Sequence, residues 1–139
     1  MLSRFCTLAL LAVQLGFSPA HAGPQANYLL HCGGCHLENG EGTLPEVPDL
    51  RQDLDWLAQT AKGRSYLTRV PGASQVPLSD EKLAEVFNWM FEVFYPADPV
   101  IPVFSGEEIS RTRGLPLWDP LRARQELLDE RTAPGAHRQ

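Results

Sequence analysis

The chain is poor in sulfur: three cysteines and two methionines in 139 residues, with Met1 and Cys6 both among the first ten. So few cysteines exclude a fold stapled by several disulfides. The sequence also lacks any apolar run of the ~20 residues that a permanent membrane-crossing helix requires. It has no surplus of positive charge either, since 12 Lys and Arg stand against 17 Asp and Glu, a formal charge of −5. Such an acidic balance makes nucleic acid an improbable partner. Internal repeats and low-complexity segments are missing, which excludes a repeat array.

What is present begins with a leader. Arg4 precedes an apolar run from Phe5 to Phe17, centred on Leu8, Leu10, Leu11 and Val13, and Ala20-His21-Ala22 supplies a small-x-small cleavage site. This pattern predicts a secretory signal peptide over residues 1–22 and an exported, periplasmic product starting at Gly23. Ser3-Arg4-Phe5 does not precede Cys6 as a lipid-attachment signal would, so no lipid anchor is expected. Cleavage leaves 117 residues, enough for one domain with a modest core. It removes Arg4 and no acidic residue, leaving 11 basic against 17 acidic groups and a charge of −6.

Two cysteines remain, in Cys32-Gly33-Gly34-Cys35-His36. C-x-x-C-H is the attachment signature of haem c. On a helix, positions i, i+3 and i+4 share a face, so two thiols and an imidazole are presented together. The thiols can then add to two porphyrin vinyl groups while His36 ligates iron, and Gly33 and Gly34 leave room for the macrocycle. Three other readings compete. A thioredoxin-like pair calls for strand-helix-strand patterning, and β-branched runs around the motif are missing. A structural zinc site needs four ligands, and His31 adds only an adjacent one. A plain disulfide stays open for any C-x-x-C in an oxidising compartment.

From about Gln25 to Tyr95 the chain resembles a mono-haem class I cytochrome c domain. The resemblance rests on the motif, a short helix before it, the Glu38-Asn39-Gly40-Glu41-Gly42 turn after it, and Val47-Pro48-Asp49-Leu50. It implies an all-α fold around one covalent haem c held by Cys32 and Cys35, with His36 as an axial iron ligand. It further implies that Pro48, 12 residues past His36, offers its carbonyl to the imidazole N–H, a bond that fixes the ring and raises its basicity.

Leu50, Leu54, Leu57 and Ala61 are spaced as on a helix, with Gly63 as its expected stop. Arg64, Tyr66 and Arg69 are donor types suited to haem propionates, although a plain solvated surface is the alternative. Residues 70–77 read as a turn-rich loop. Ser79 caps the next helix, with Leu83, Val86, Phe87, Met90, Phe91 and Phe94 as its apolar stripe and Glu81, Glu85, Asn88 and Glu92 opposite. This helix should pack across the first, with Trp89 at the crossing. Pro96, Pro99 and Pro102 close the cytochrome-like domain at residues 23–95. Residues 96–131 are expected to form a C-terminal arm with short helices starting at Ser105 and Asp119, the second ending near Leu128, anchored by Ile101, Leu115, Leu117 and Trp118. The alternative use of the arm is partner docking. Residues 132–139 read as a disordered tail.

The chain departs from the resemblance in one respect. Such carriers usually take a methionine from the loop before the last helix as sixth ligand, and this loop has none. Met90 is the remaining methionine, and its position in the stripe suits core packing better than ligation. Gln75, Lys62, Tyr66, His31 and water are the other candidates, with His137 remote in the tail. Without methionine a lower reduction potential is expected. Two functions follow: a non-enzymatic electron carrier serving redox partner proteins, or a five-coordinate haem protein binding carbon monoxide, nitric oxide or peroxide as a sensor or weak enzyme. The lack of a distal histidine favours the carrier.

Overall fold

A computed structural model describes residues 22–43, 45–97 and 101–132. The leader up to residue 21, Pro99 and the tail from residue 133 lie outside the described residues. Within them the fold is all-α, as expected, with eight helices and no strand. These are α1 (Pro24–His31), α2 (Gly33–His36), α3 (Leu54–Ala58), α4 (Ala61–Arg69), α5 (Pro71–Ser74), α6 (Asp80–Phe94), α7 (Gly106–Thr112) and α8 (Pro120–Thr132). A lone antiparallel bridge joins Thr43 to Val47.

Local chemistry sets most of the boundaries. Pro24 opens α1, where its missing N–H costs nothing. Side-chain oxygens of Thr60, Ser79 and Ser105 accept from the backbone N–H groups of Gly63, Lys82 and Glu108, and Asp119 does the same for Arg122. Asp80 and Glu81 lie in the first turn of α6, Glu107 and Glu108 in that of α7, where acidic groups suit the helix dipole. The expected α8 continues four residues past Leu128.

Gly63 is not a helix stop. The helix expected from Leu50 divides instead into α3 and α4 at Gln59 and Thr60, and Gly63 lies in the first turn of α4. A Cβ there would overlap the Leu57 carbonyl, so glycine is required because two short helices pack backbone to backbone. The residues expected as a plain loop at 70–77 include the single-turn helix α5.

The core forms where α6 crosses the other helices. Leu83, Val86, Phe87, Met90 and Phe91 are buried along one face of α6, with Leu54, Leu57, Tyr66 and Leu67 from α3 and α4. The expected crossing of α6 over α1 is present. Tyr28 of α1 is 0% exposed, its ring 5.2 Å from that of Trp89 and 5.7 Å from that of Phe94. Asn88, expected on the solvent side, faces the arm: its amide donates to the Phe104 carbonyl and accepts from the Phe104 N–H, at 3.0 and 2.8 Å.

The arm folds onto α4 and α6, but its anchors differ from those expected. Trp118 is 93% exposed and Leu115 51%, while Ile101 and Leu117 are only partly buried. Phe104, Ile109 and Leu127 are the buried anchors. The capped turn of α7 directs Ile109 inward, whereas Trp118 lies in the α7–α8 connection and faces out. Phe104 stacks on Phe91, meets Phe87 edge-on, and carries the Arg64 guanidinium 3.7 Å from its ring centre.

Arg64 and Arg69 serve the arm. Arg64 forms a fork with the Glu108 carboxylate at 2.6 Å on both arms, and donates to the carbonyls of Ala58, Pro102 and Val103. Arg69 donates to the Leu115 and Pro116 carbonyls. In return, Arg113 of the arm donates to the carbonyls of Ser74, Val76 and Leu78 and pairs with Asp80 at 3.0 Å.

Three outcomes follow. Gly63→Ala, a substitution that stabilises an ordinary helix interior by about 1 kcal/mol, should here destabilise by about 1–3 kcal/mol, measured by urea unfolding. Arg64→Ala should cost about 2–4 kcal/mol by leaving Glu108 and three carbonyls without their donor. Lys62→Ala, which breaks only the exposed pair with Glu130, should leave the midpoint nearly unchanged.

Candidate functional site

The motif occupies the bend where α1 gives way to α2. The Cys32 N–H closes α1 on the Tyr28 carbonyl at 2.8 Å, and the Cys32 carbonyl accepts from both Cys35 and His36 at 3.1 and 2.9 Å. One turn of chain therefore carries the two thiols and the imidazole. Both cysteines are free thiols in this structure, Cys32 half-buried and Cys35 exposed. Burial, and then the proximity of Cys35, push the Cys32 thiol up to about 11. Among the described residues no group of three or more His, Cys, Asp or Glu is placed together so as to hold a metal ion.

His36 is held through Nδ1, the ring nitrogen nearer the backbone. Nδ1 lies 3.0 Å from the Pro48 carbonyl oxygen. A carbonyl can only accept, so Nδ1 carries the proton and the lone pair of the neutral ring is on Nε2. Burial lowers the His36 pKa, and the bond to Pro48 opposes this only in part, so the ring is neutral and able to ligate.

The loop from Leu37 to Leu50 brings Pro48 back to the histidine. Gly42 has φ +68° and donates its N–H to the His36 carbonyl at 3.1 Å. A Cβ on Gly42 would overlap the Pro48 carbonyl, so glycine is needed both for the dihedral and for the close approach. The Thr43–Val47 pair, bonded at 2.8 and 2.9 Å, closes the loop above it. Below, the Asp49 carboxylate accepts from the Arg51 side chain at 2.9 and 2.7 Å and from the Arg51 N–H at 2.8 Å, which holds that carboxyl below its usual range. The Tyr95 hydroxyl, at the end of α6, donates to the Leu50 carbonyl at 2.9 Å and accepts from the Leu54 N–H at 3.2 Å.

Leu37 follows His36 with φ +60° and ψ +173°. For a non-glycine residue this conformation is strained by on the order of 1–3 kcal/mol. Its carbonyl accepts the Tyr28 hydroxyl at 2.8 Å. That phenol is pushed up to about 12, chiefly by burial, and remains a donor at neutral pH.

The residues suit a porphyrin held by thioether bonds. Gly33 would meet only ordinary contacts at 3.7 and 3.8 Å on gaining a Cβ, and Gly34 none within 4 Å, so a flat strip lies open beside the thiols. Leu29, Leu30 and Leu37 present apolar surface around it. Gln75 is exposed and His31 partly exposed, whereas Met90 is 5% exposed and packed in the core. Lys62 is bonded to Glu130 at 2.7 Å. Tyr66 is buried beside an open groove of about 550 Å3 between α4 and α8 that shares no residue with the motif. Arg64 and Arg69 are committed to arm carbonyls rather than placed beside the motif. The loop's reliance on Gly42, and the hydroxyls of Tyr28 and Tyr95, escaped the sequence reading. The Gly40-Glu41-Gly42 turn was the available signal for the first, and nothing local marks the other two.

Gly42→Ala should destabilise the protein by about 1–3 kcal/mol, measured by thermal unfolding. Gly114→Ala, at a position with open space and no positive φ, should stay within about 0.5 kcal/mol of the parent. Equal effects would show that the loop relaxes around a Cβ at Gly42. Comparison of the chain with protein-family models, with curated proteins and with solved structures finds no match.

Proposed function

We propose that this chain is an exported c-type cytochrome that passes single electrons between redox partner proteins through one covalently attached haem c. The observation that carries the reading is the 3.0 Å contact between His36 Nδ1 and the Pro48 carbonyl, one helical turn from two free thiols. A histidine kept neutral, with one nitrogen tied back and the other bare, is arranged as a metal ligand.

Cys32 and Cys35 hold the porphyrin by thioether bonds and His36 ligates its iron. Haem supplies the one-electron Fe(III)/Fe(II) couple. Pro48 keeps the imidazole oriented and increases its donor strength, which favours the ferric state. With Met90 committed to the core, no methionine among the described residues is placed to raise the potential, so a potential below that of methionine-ligated carriers is expected. The acidic surface favours docking to basic partners through long-range steering that weakens with salt. A periplasmic location follows from the leader. No described helix is long and apolar enough to cross a membrane.

The burial of Met90 also supports a second reading, a five-coordinate haem protein that binds carbon monoxide, nitric oxide or peroxide. Chain expressed with haem-attachment machinery should gain the mass of one haem, and Cys32→Ala/Cys35→Ala should not. A colourless product at bare polypeptide mass would sink both readings. As a carrier, the reduced protein should be low-spin and indifferent to carbon monoxide, whereas rapid conversion of a high-spin form to the carbonyl would establish the second. Met90→Leu should leave the ferric spectrum unchanged and cost under about 1.5 kcal/mol.

A further inference from the structure

The strain at Leu37 lies one peptide bond from His36, and the tether that opposes it comes from another helix. Leu37 adopts φ +60° and ψ +173°, backbone that glycine takes freely and leucine does not. Its carbonyl accepts the Tyr28 hydroxyl at 2.8 Å, with the Gly40 N–H more distant at 3.5 Å. The Tyr28 ring is itself fixed between Trp89 and Phe94 of α6. If that carbonyl were released, Leu37 would relax toward negative φ, rotating the peptide that joins it to His36. The His36 carbonyl, held by the Gly42 N–H at 3.1 Å, belongs to that same peptide. Relaxation would therefore shift Gly42, against which the Pro48 carbonyl is packed.

We infer that Tyr28 is a positioning residue for His36: its hydroxyl holds Leu37 in the strained turn, and the turn in register keeps the imidazole on the Pro48 carbonyl. The role of the phenol is thus separate from the packing of its ring. As a statement about an axial ligand this rests on the haem reading, but its effect on the His36–Pro48 bond does not.

The test is made on the exported full chain, and mass spectrometry first reports whether one haem is attached. Absence of haem overturns the functional reading alone, because the exchange lifetime and chemical shift of the His36 Nδ1–H proton are then read by NMR in either form. Tyr28→Phe keeps the ring and removes the hydroxyl. It should shorten that lifetime about tenfold, the equivalent of one lost net hydrogen bond. Tyr28→Phe/Leu37→Gly should restore the parent lifetime and shift, because glycine holds the turn without a tether. An unchanged His36 signal in Tyr28→Phe would overturn the inference. So would a change that Leu37→Gly does not rescue, or loss of folding in both variants, since either would make Tyr28 a packing residue only.

Discussion

A single hydrogen bond, from His36 Nδ1 to the carbonyl of Pro48, organises the site, and much of the surrounding chain serves to make it possible. The imidazole belongs to a turn of helix that also bears both thiols, while the carbonyl belongs to a loop that leaves that turn and returns. Bringing the two within 3.0 Å requires a backbone approach at Gly42 that no side chain permits, a strained residue at Leu37 and a tether from Tyr28. Burial favours the neutral ring, and the bond orients it with the proton on Nδ1 and the lone pair on Nε2, which is the state a metal ligand requires.

The arm does for the domain what the loop does for the histidine. α3, α4 and α5 are too short to be stable by propensity and depend on tertiary packing. Arginine supplies part of that packing in both directions: Arg64 and Arg69 reach from α4 to the arm, and Arg113 reaches from the arm to carbonyls of the 74–78 segment. A planar guanidinium with five donors suits this use, since it satisfies several backbone oxygens at once and still pairs with a carboxylate. Phe104 adds the apolar part, with the Asn88 amide holding its backbone on both sides. The arm is therefore part of the fold, while Trp118 remains on its outer surface.

Which expectations held follows from the range of the interactions involved. The caps at Ser79, Ser105 and Asp119 and the stripe on α6 depend on neighbours within a few positions, and they are present in the fold. Glycine just past a periodic run is a common helix stop, yet here Gly63 admits the Leu57 backbone, a contact invisible to a local rule. Asn88 looks like a solvent position until the arm is known to lie over it. Hydrophobicity alone does not identify the arm's anchors, as the exposed Trp118 shows: a connection between helices has no periodicity to say which way a side chain faces.

By itself the sequence determined the all-α class, the C-x-x-C-H turn with its two thiols and imidazole on one stretch of backbone, and the proline twelve residues on. Each of these depends on residue type and spacing, which the chain carries along its length. Only the tertiary structure decided that Pro48 meets His36, that Met90 is committed to the core, that Arg64 and Arg69 grip the arm, and that Tyr28 reaches the residue after the histidine. Those contacts join positions distant in sequence or on different helices, and they come into being only when packing brings their partners together.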